Sequence, residues 1–194
     1  MVYHPADTIN KPIKLIYLID ICEIIFNFIF ILKYFLRMSN RIGKRGENIF
    51  ATIISRNVAS RGFLFDPTFL GDKFPTIDFH VDLLQYPYKA FFYASVKTTT
   101  LGYYPGNERI KITIGKDEAA ELSKFLTPVY IFGIDETQEK GYLISANNLN
   151  TSLNINGIPT KFPVTSTVLQ LLWKEVADYW DYSRIITKFV SSFN

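Results

Sequence analysis

The chain has 194 residues, the length of one compact domain with a short appendage. Apolar residues make up 48% and aromatic residues 16%, which excludes a disordered polymer and supplies a packed core. A net charge of +3 excludes a globally basic nucleic-acid binder, so any basic footprint must be local. Cys22 is the only cysteine, which excludes an internal disulfide framework and a cysteine zinc site. A reducing, intracellular setting is the simplest one for such a chain. His4 and His80 are too few for a histidine-rich metal site.

Residues 15–36 form a nearly continuous apolar run of the length that one membrane span needs. Asp20, Glu23, Asn27 and Lys33 oppose a span, because a charge near the bilayer centre costs about 2.5–3.5 kcal/mol. Asp20, Glu23 and Asn27 share one helical face, a polar stripe that suits an interfacial or partner-packed helix. Arg37, Arg41, Lys44 and Arg45 come directly after the run and, by the positive-inside rule, keep the downstream domain cytoplasmic. The same four cations have two readings, a phosphate-contacting patch and the solvated start of a helix. No small-residue cleavage site succeeds the run, so secretion is not expected. Met38-Ser-Asn-Arg also reads as a protein start, in which case the preceding residues are translated upstream sequence. Both readings divide the chain into a hydrophobic N-terminal helix, 1–37, and a chemistry-bearing domain, 38–194.

Residues 41–60 read as an amphipathic helix with Ile49, Phe50, Ile53, Ile54, Asn57 and Val58 on one face and Gly62 as its stop. Glu47 sits at the edge of that face, pointing toward the body of the domain. An extended piece at 63–67 and a turn at 71–75 come next. Residues 77–84 alternate as a strand, with Asp78, His80 and Asp82 on one side. Residues 90–98 read as a buried strand on which Tyr93, Ser95 and Lys97 share a face. Beyond it lie a loop at 101–107, a strand at 109–114 and a helix at 116–126 with early acidic residues. Residues 127–134 and 142–145 read as a hairpin, succeeded by an Asn-rich polar stretch. A C-terminal helix or helix pair spans 165–193, and its stripe of Leu169, Leu172, Trp173, Val176 and Trp180 reads as core. This order predicts an α/β domain with a mixed central sheet flanked by helices.

Glu47, Asp78 and Lys97 stand out. A carboxylate on a helix, a carboxylate on one strand and a lysine on the next suit a metal-dependent phosphodiesterase. Such hydrolysis uses a divalent ion to offset developing charge and to generate hydroxide from water. Mg²⁺ takes one or two carboxylates and fills the rest of its octahedron with water and phosphate. Asp78 can be a direct ligand, the Val96 backbone carbonyl another, and Glu47 a third, directly or through water. Lys97 can hold or deprotonate the attacking water and offset phosphate charge. Each has a plain counterpart: Asp78 as a turn cap after Pro75, Glu47 as a charge on a solvated helix edge, Lys97 as a strand-end lysine reaching solvent. A lysine ending so apolar a run is the hardest of the three to dismiss, because burying it is costly unless it is paired.

The strings Gly43-Lys-Arg-Gly-Glu47, Thr76-Ile-Asp78-Phe-His-Val and Tyr93-Ala-Ser-Val-Lys97-Thr-Thr resemble the PD-(D/E)xK, or restriction-endonuclease-like, nuclease superfamily. Within it, they are most similar to the bacterial domain of unknown function 4365 family. The resemblance covers residues 41–146 and, more weakly, the C-terminal helix. It implies a restriction-endonuclease-like sheet and a nucleic-acid cleavage site dependent on Mg²⁺ or Mn²⁺. Glu47 would be the helix acid, Asp78 the metal aspartate and Lys97 the catalytic lysine. Ser95 departs from the acid or glutamine of the pattern; serine is a poor and shorter ligand, so a water would fill the gap, with Asp82 or His80 as substitutes.

The leading expectation is therefore a DNA nuclease in a defence or mobile-element setting, which the resemblance alone implies. A degenerate relative that binds nucleic acid or a protein partner, and a membrane-tethered interaction protein, stand beside it. The partners expected are DNA, a membrane through residues 15–36, and a second copy in a homodimer.

Overall fold

The computed structural model describes residues 11–71, 74–147, 149 and 151–186. It divides into two compact units, one ending at Arg41 and one starting at Ile42. The helical stretches expected at 15–36 and 41–60 belong to one helix, α1 (Lys11–Ile54). Residues 37–40 contain neither Gly nor Pro, so nothing in them breaks the helix. In the first unit, no helix of the described residues is long and apolar enough to cross a membrane, so a membrane-spanning appendage is not shown. The side chains of Asp20, Glu23 and Asn27 lie outside the described ones.

In the second unit, α1 ends earlier than expected. Residues 57–63 instead form a small antiparallel hairpin, β1 (Asn57–Val58) and β2 (Gly62–Phe63). Gly62 enters it at φ +73°, a conformation that glycine adopts without strain.

The central sheet has five strands in the order β3 (Phe65–Phe69), β4 (Phe79–Leu83), β5 (Phe91–Thr99), β7 (Val129–Asp135) and β8 (Lys140–Ser145). It is mixed: β3, β4 and β5 are antiparallel neighbours, β5 and β7 run parallel, and β7 and β8 are antiparallel. A parallel step needs a long crossover. Here β6 (Arg109–Ile114) and α2 (Lys116–Ser123) supply it. β6 pairs with β9 (Ile155–Pro159) in a separate two-stranded sheet, and β9 falls in the stretch expected to be polar and irregular. α3 (Ser166–Ile186) closes the described chain.

The central sheet separates two cores. On one side, Ile49, Phe50, Ile53 and Ile54 of α1 and Leu169, Leu172 and Val176 of α3 pack on Phe92, Ala94, Val96 and Phe132. Trp173 and Trp180 pack against this core, as the C-terminal stripe predicts. On the other side, Ala119 and Leu122 of α2 and the isoleucines of β6 and β9 cover Val129 and Ile131. The fold is thus α/β with a mixed central sheet and flanking helices, and the two faces of β5 belong to different cores.

Candidate functional site

Asp78 stands immediately before β4, and its backbone is tied on both sides. Its N–H donates to the Ala94 carbonyl at 2.9 Å, and its carbonyl accepts from the Leu70 N–H at 2.9 Å. Phe79 pairs with Ala94, so the next step of the antiparallel register sets Asp78 opposite Ser95. Here the side chain takes over from the strand ladder: the Val96 N–H donates to Asp78 Oδ2 at 2.5 Å. A strand residue directs its N–H and C=O toward the same neighbour. The Val96 carbonyl therefore faces the same strand edge as the Asp78 carboxylate.

Burial raises the Asp78 carboxyl above the usual carboxylate range; the Val96 N–H and the Lys97 charge pull it down, and Glu118 adds a further upward push. Desolvation outweighs the local partners, so the ionised group is held at a cost.

Lys97 lies next to Val96. Its Nζ sits 2.5 Å from Glu118 Oε1, and the two side chains are 29% and 27% exposed. Glu118 is in the first turn of α2, where the helix dipole favours an acid. Ser95 shares the face of Tyr93 and Lys97. It is fully buried, and its Oγ has no hydrogen-bond partner. Leaving a buried hydroxyl unpaired costs about 1–3 kcal/mol. Asp78, Ser95, Lys97 and Glu118 thus form one polar group on the α2 side of the sheet.

Glu47 approaches from the other layer. A Cβ on Gly46 would fall 1.7 Å from Thr98 Oγ1 and 2.7 Å from Thr98 Cβ, so α1 meets β5 almost backbone to side chain. Glu47 comes one residue after that contact and is half-buried, at the strand end that carries Lys97. The glycine that the packing demands is Gly46; Gly43 has open space around it.

Other sequence candidates have different duties. His80 Nε2 and Asp82 Oδ1 lie 3.3 Å apart, and the His80 ring stacks on Phe91 at 4.6 Å. These two side chains engage each other, leaving Glu118 as the carboxylate that meets Lys97. Arg45 pairs with Glu136 at 3.0 Å and Glu139 at 3.3 Å, so this member of the basic cluster binds α1 to the β7–β8 turn.

The site is recognised by charge and not by concavity. A cavity of about 410 Å³ is lined by Tyr103, Gln138, Lys140 and Tyr142, and a groove of about 530 Å³ by Tyr130, Phe162 and Leu171. Neither is lined by Asp78, Lys97 or Glu118. Among the described residues, no three His, Cys, Asp or Glu side chains gather as a metal-binding group. The oxygen donors near Lys97 are two carboxylates, a backbone carbonyl and the orphan Ser95 hydroxyl.

Sequence reasoning missed Glu118. Its only signal was the acidic first turn of α2, which is also ordinary helix chemistry. Comparisons with protein-family models, curated proteins and solved structures find no match to the chain.

Proposed function

We propose that the second unit is a Mg²⁺- or Mn²⁺-dependent nuclease that hydrolyses phosphodiester bonds of DNA on a restriction-endonuclease-like core. One observation carries the reading: the Asp78 carboxylate is held at 2.5 Å by the Val96 N–H, with Lys97 the next residue. A carboxylate, a strand-edge carbonyl and an amine then share one strand end. The element order supports this reading. A helix carrying Glu47 precedes antiparallel strands leading to Asp78 and Lys97, and a crossover helix leads to a parallel strand.

The donors suit a hard divalent cation, since all are oxygens and two are carboxylates. The Ser95 hydroxyl beside them is buried and partnerless. Asp78 and the Val96 carbonyl would hold the ion; Glu47, from the other layer, would reach it through water rather than gather with Asp78 and Glu118 in one ligand group. When bound, such an ion offsets charge on the phosphate and eases ionisation of water. The Lys97 ammonium would orient the attacking water and neutralise a non-bridging phosphate oxygen. The remaining polar groups restrict how that amine is aimed.

The test is cleavage of plasmid and single-stranded DNA by the full chain with Mg²⁺ or Mn²⁺. Lys97→Ala and Asp78→Ala are each expected to lower the rate by at least about 100-fold. Cleavage unchanged in both variants sinks the assignment. Wild-type binding of DNA without cleavage in either metal supports the degenerate relative instead.

For the first unit, we propose association with a membrane surface. The support is a stripe of exposed apolar residues on α1: Ile25, Phe28, Ile29 and Leu32, at i, i+3, i+4 and i+7. Flotation with anionic liposomes should be lost in an Ile25→Glu/Phe28→Glu double variant, and equal flotation of both forms would count against it.

A further inference from the structure

The departure at Ser95 removes one carboxylate from the strand, yet the structure sets another one on the same amine. We infer that Glu118 supplies the second acid of the site, so that Asp78 and Glu118 together take the divalent cation. This rests on the nuclease reading above and names a ligand that the sequence pattern does not contain.

Three observations support it. Glu118 Oε1 lies 2.5 Å from Lys97 Nζ, so its carboxylate already occupies the space in front of the strand end. The Ser95 side chain is fully buried on the same strand face, and its hydroxyl has no partner. It stands two residues before Lys97 and opposite Asp78, so the unpaired hydroxyl belongs to the strand face that carries both charged groups. Finally, Glu118 comes from the first turn of α2, an element anchored by the buried Ala119 and Leu122. Rigid elements hold a ligand more accurately than loops do.

The ion pair has a consequence for Lys97. While its Nζ is paired with Glu118, one of its three N–H donors is committed and its charge is partly offset. A cation drawing on the Glu118 carboxylate competes with Lys97 for it. Metal uptake and release of the lysine are then one event, and the site is assembled only when loaded.

The ordinary alternative is a partly exposed ion pair with no further duty. Such pairs contribute about 0–1 kcal/mol, so losing this one should barely move the melting temperature. Both roles therefore leave the metal-free melt nearly unchanged, and Mn²⁺ affinity is what separates them. Mn²⁺ binding to the full chain is measured by calorimetry in wild type, Asp78→Asn, Glu118→Gln and Glu118→Asp, alongside thermal melts in EDTA. Wild type is expected to bind Mn²⁺. Glu118→Gln should weaken binding by at least about tenfold, with a nearly unchanged metal-free melt. Glu118→Asp, which keeps the charge on a shorter arm, should fall between the two. If Asp78→Asn loses Mn²⁺ while Glu118→Gln binds it as wild type does, Glu118 only pairs with Lys97; this inference fails and the nuclease reading stands. If wild type binds no Mn²⁺, or neither Asp78→Asn nor Glu118→Gln changes its binding, the nuclease reading fails as well.

Discussion

The two faces of β5 use the same backbone for opposite purposes. Toward α1 and α3, Phe92 and Ala94 are fully buried and Val96 nearly so, in one apolar core. Toward α2, Tyr93 is half-buried, Ser95 strands a hydroxyl, and Lys97 faces Glu118. Successive side chains on a strand point to opposite faces, so neighbouring residues join different environments. The apolar face stabilises in proportion to area removed from water. The polar face accepts an unpaired hydroxyl and a desolvated carboxylate, which lower stability and are tolerated where a site needs them. Substitutions on the first face should therefore act on folding, and those on the second mainly on binding and chemistry.

The largest expected break in this contrast is Phe92→Ala. Phe92 packs edge-on against Phe65 at 5.6 Å and Tyr130 at 5.4 Å, with no exposed surface. Its truncation should cost about 3–5 kcal/mol in urea unfolding. Ser95→Ala, three residues along on the other face, removes a stranded polar atom and should be neutral or slightly stabilising. A comparable loss at both positions would erase the distinction between the faces.

The next effect is a pair of glycines on α1. Gly46→Ala places a methyl against Thr98 Oγ1 and the fixed Thr98 Cβ, 2.7 Å away. Rotation of Thr98 cannot relieve the second contact, so overpacking of about 1–3 kcal/mol should exceed the roughly 1 kcal/mol gained in helix propensity. Gly43→Ala meets nothing within 4 Å and should gain up to about 1 kcal/mol. Opposite signs in thermal melts would sharpen the case that α1 is seated on β5 at Gly46. Stabilisation by both would unseat it.

How much of this could be read beforehand depends on the physics of each element. The buried face Ile49, Phe50, Ile53 and Ile54 was legible because helical periodicity repeats along the chain, and so was the α3 stripe. β5 was legible as an apolar run. β9 was not, because Gly157 sits at φ +80° and a register shift interrupts its pairing with β6, so no alternation builds up. The end of α1 was overrun because Asn57 and Val58 continue a helical pattern while their backbone pairs with Gly62 and Phe63. For the site, Asp78 and Lys97 could be set on one face because the strand period is fixed. Glu118 could not, because a loop, a strand and a turn separate it from Lys97, and only the crossover brings them together. Gly43 and Gly46 look alike in sequence; only the approach of Thr98 tells them apart.

The smallest expected effect asks whether the polar face truly bears a cost. Burial raises the Asp78 carboxyl above its value in the unfolded chain, near 3.8. Below that value both states are protonated. As pH rises past it, the unfolded chain ionises first and the folded state loses relative stability until its own carboxyl has ionised. The loss then persists to neutral pH. Asparagine does not titrate and can still accept the Val96 N–H. In EDTA, Asp78→Asn should therefore melt slightly above wild type at pH 7, with the gap closing as pH falls toward about 3.5. Every other carboxylate is present in both proteins, so the difference between their melting temperatures reports Asp78 together with its coupling to Lys97 and Glu118. A variant that melts below wild type at pH 7 would mean that the Val96 N–H and Lys97 outweigh desolvation. The charge of Asp78 would then stabilise the fold as well as serve the site, and the cost assigned to this face would rest on Ser95 alone.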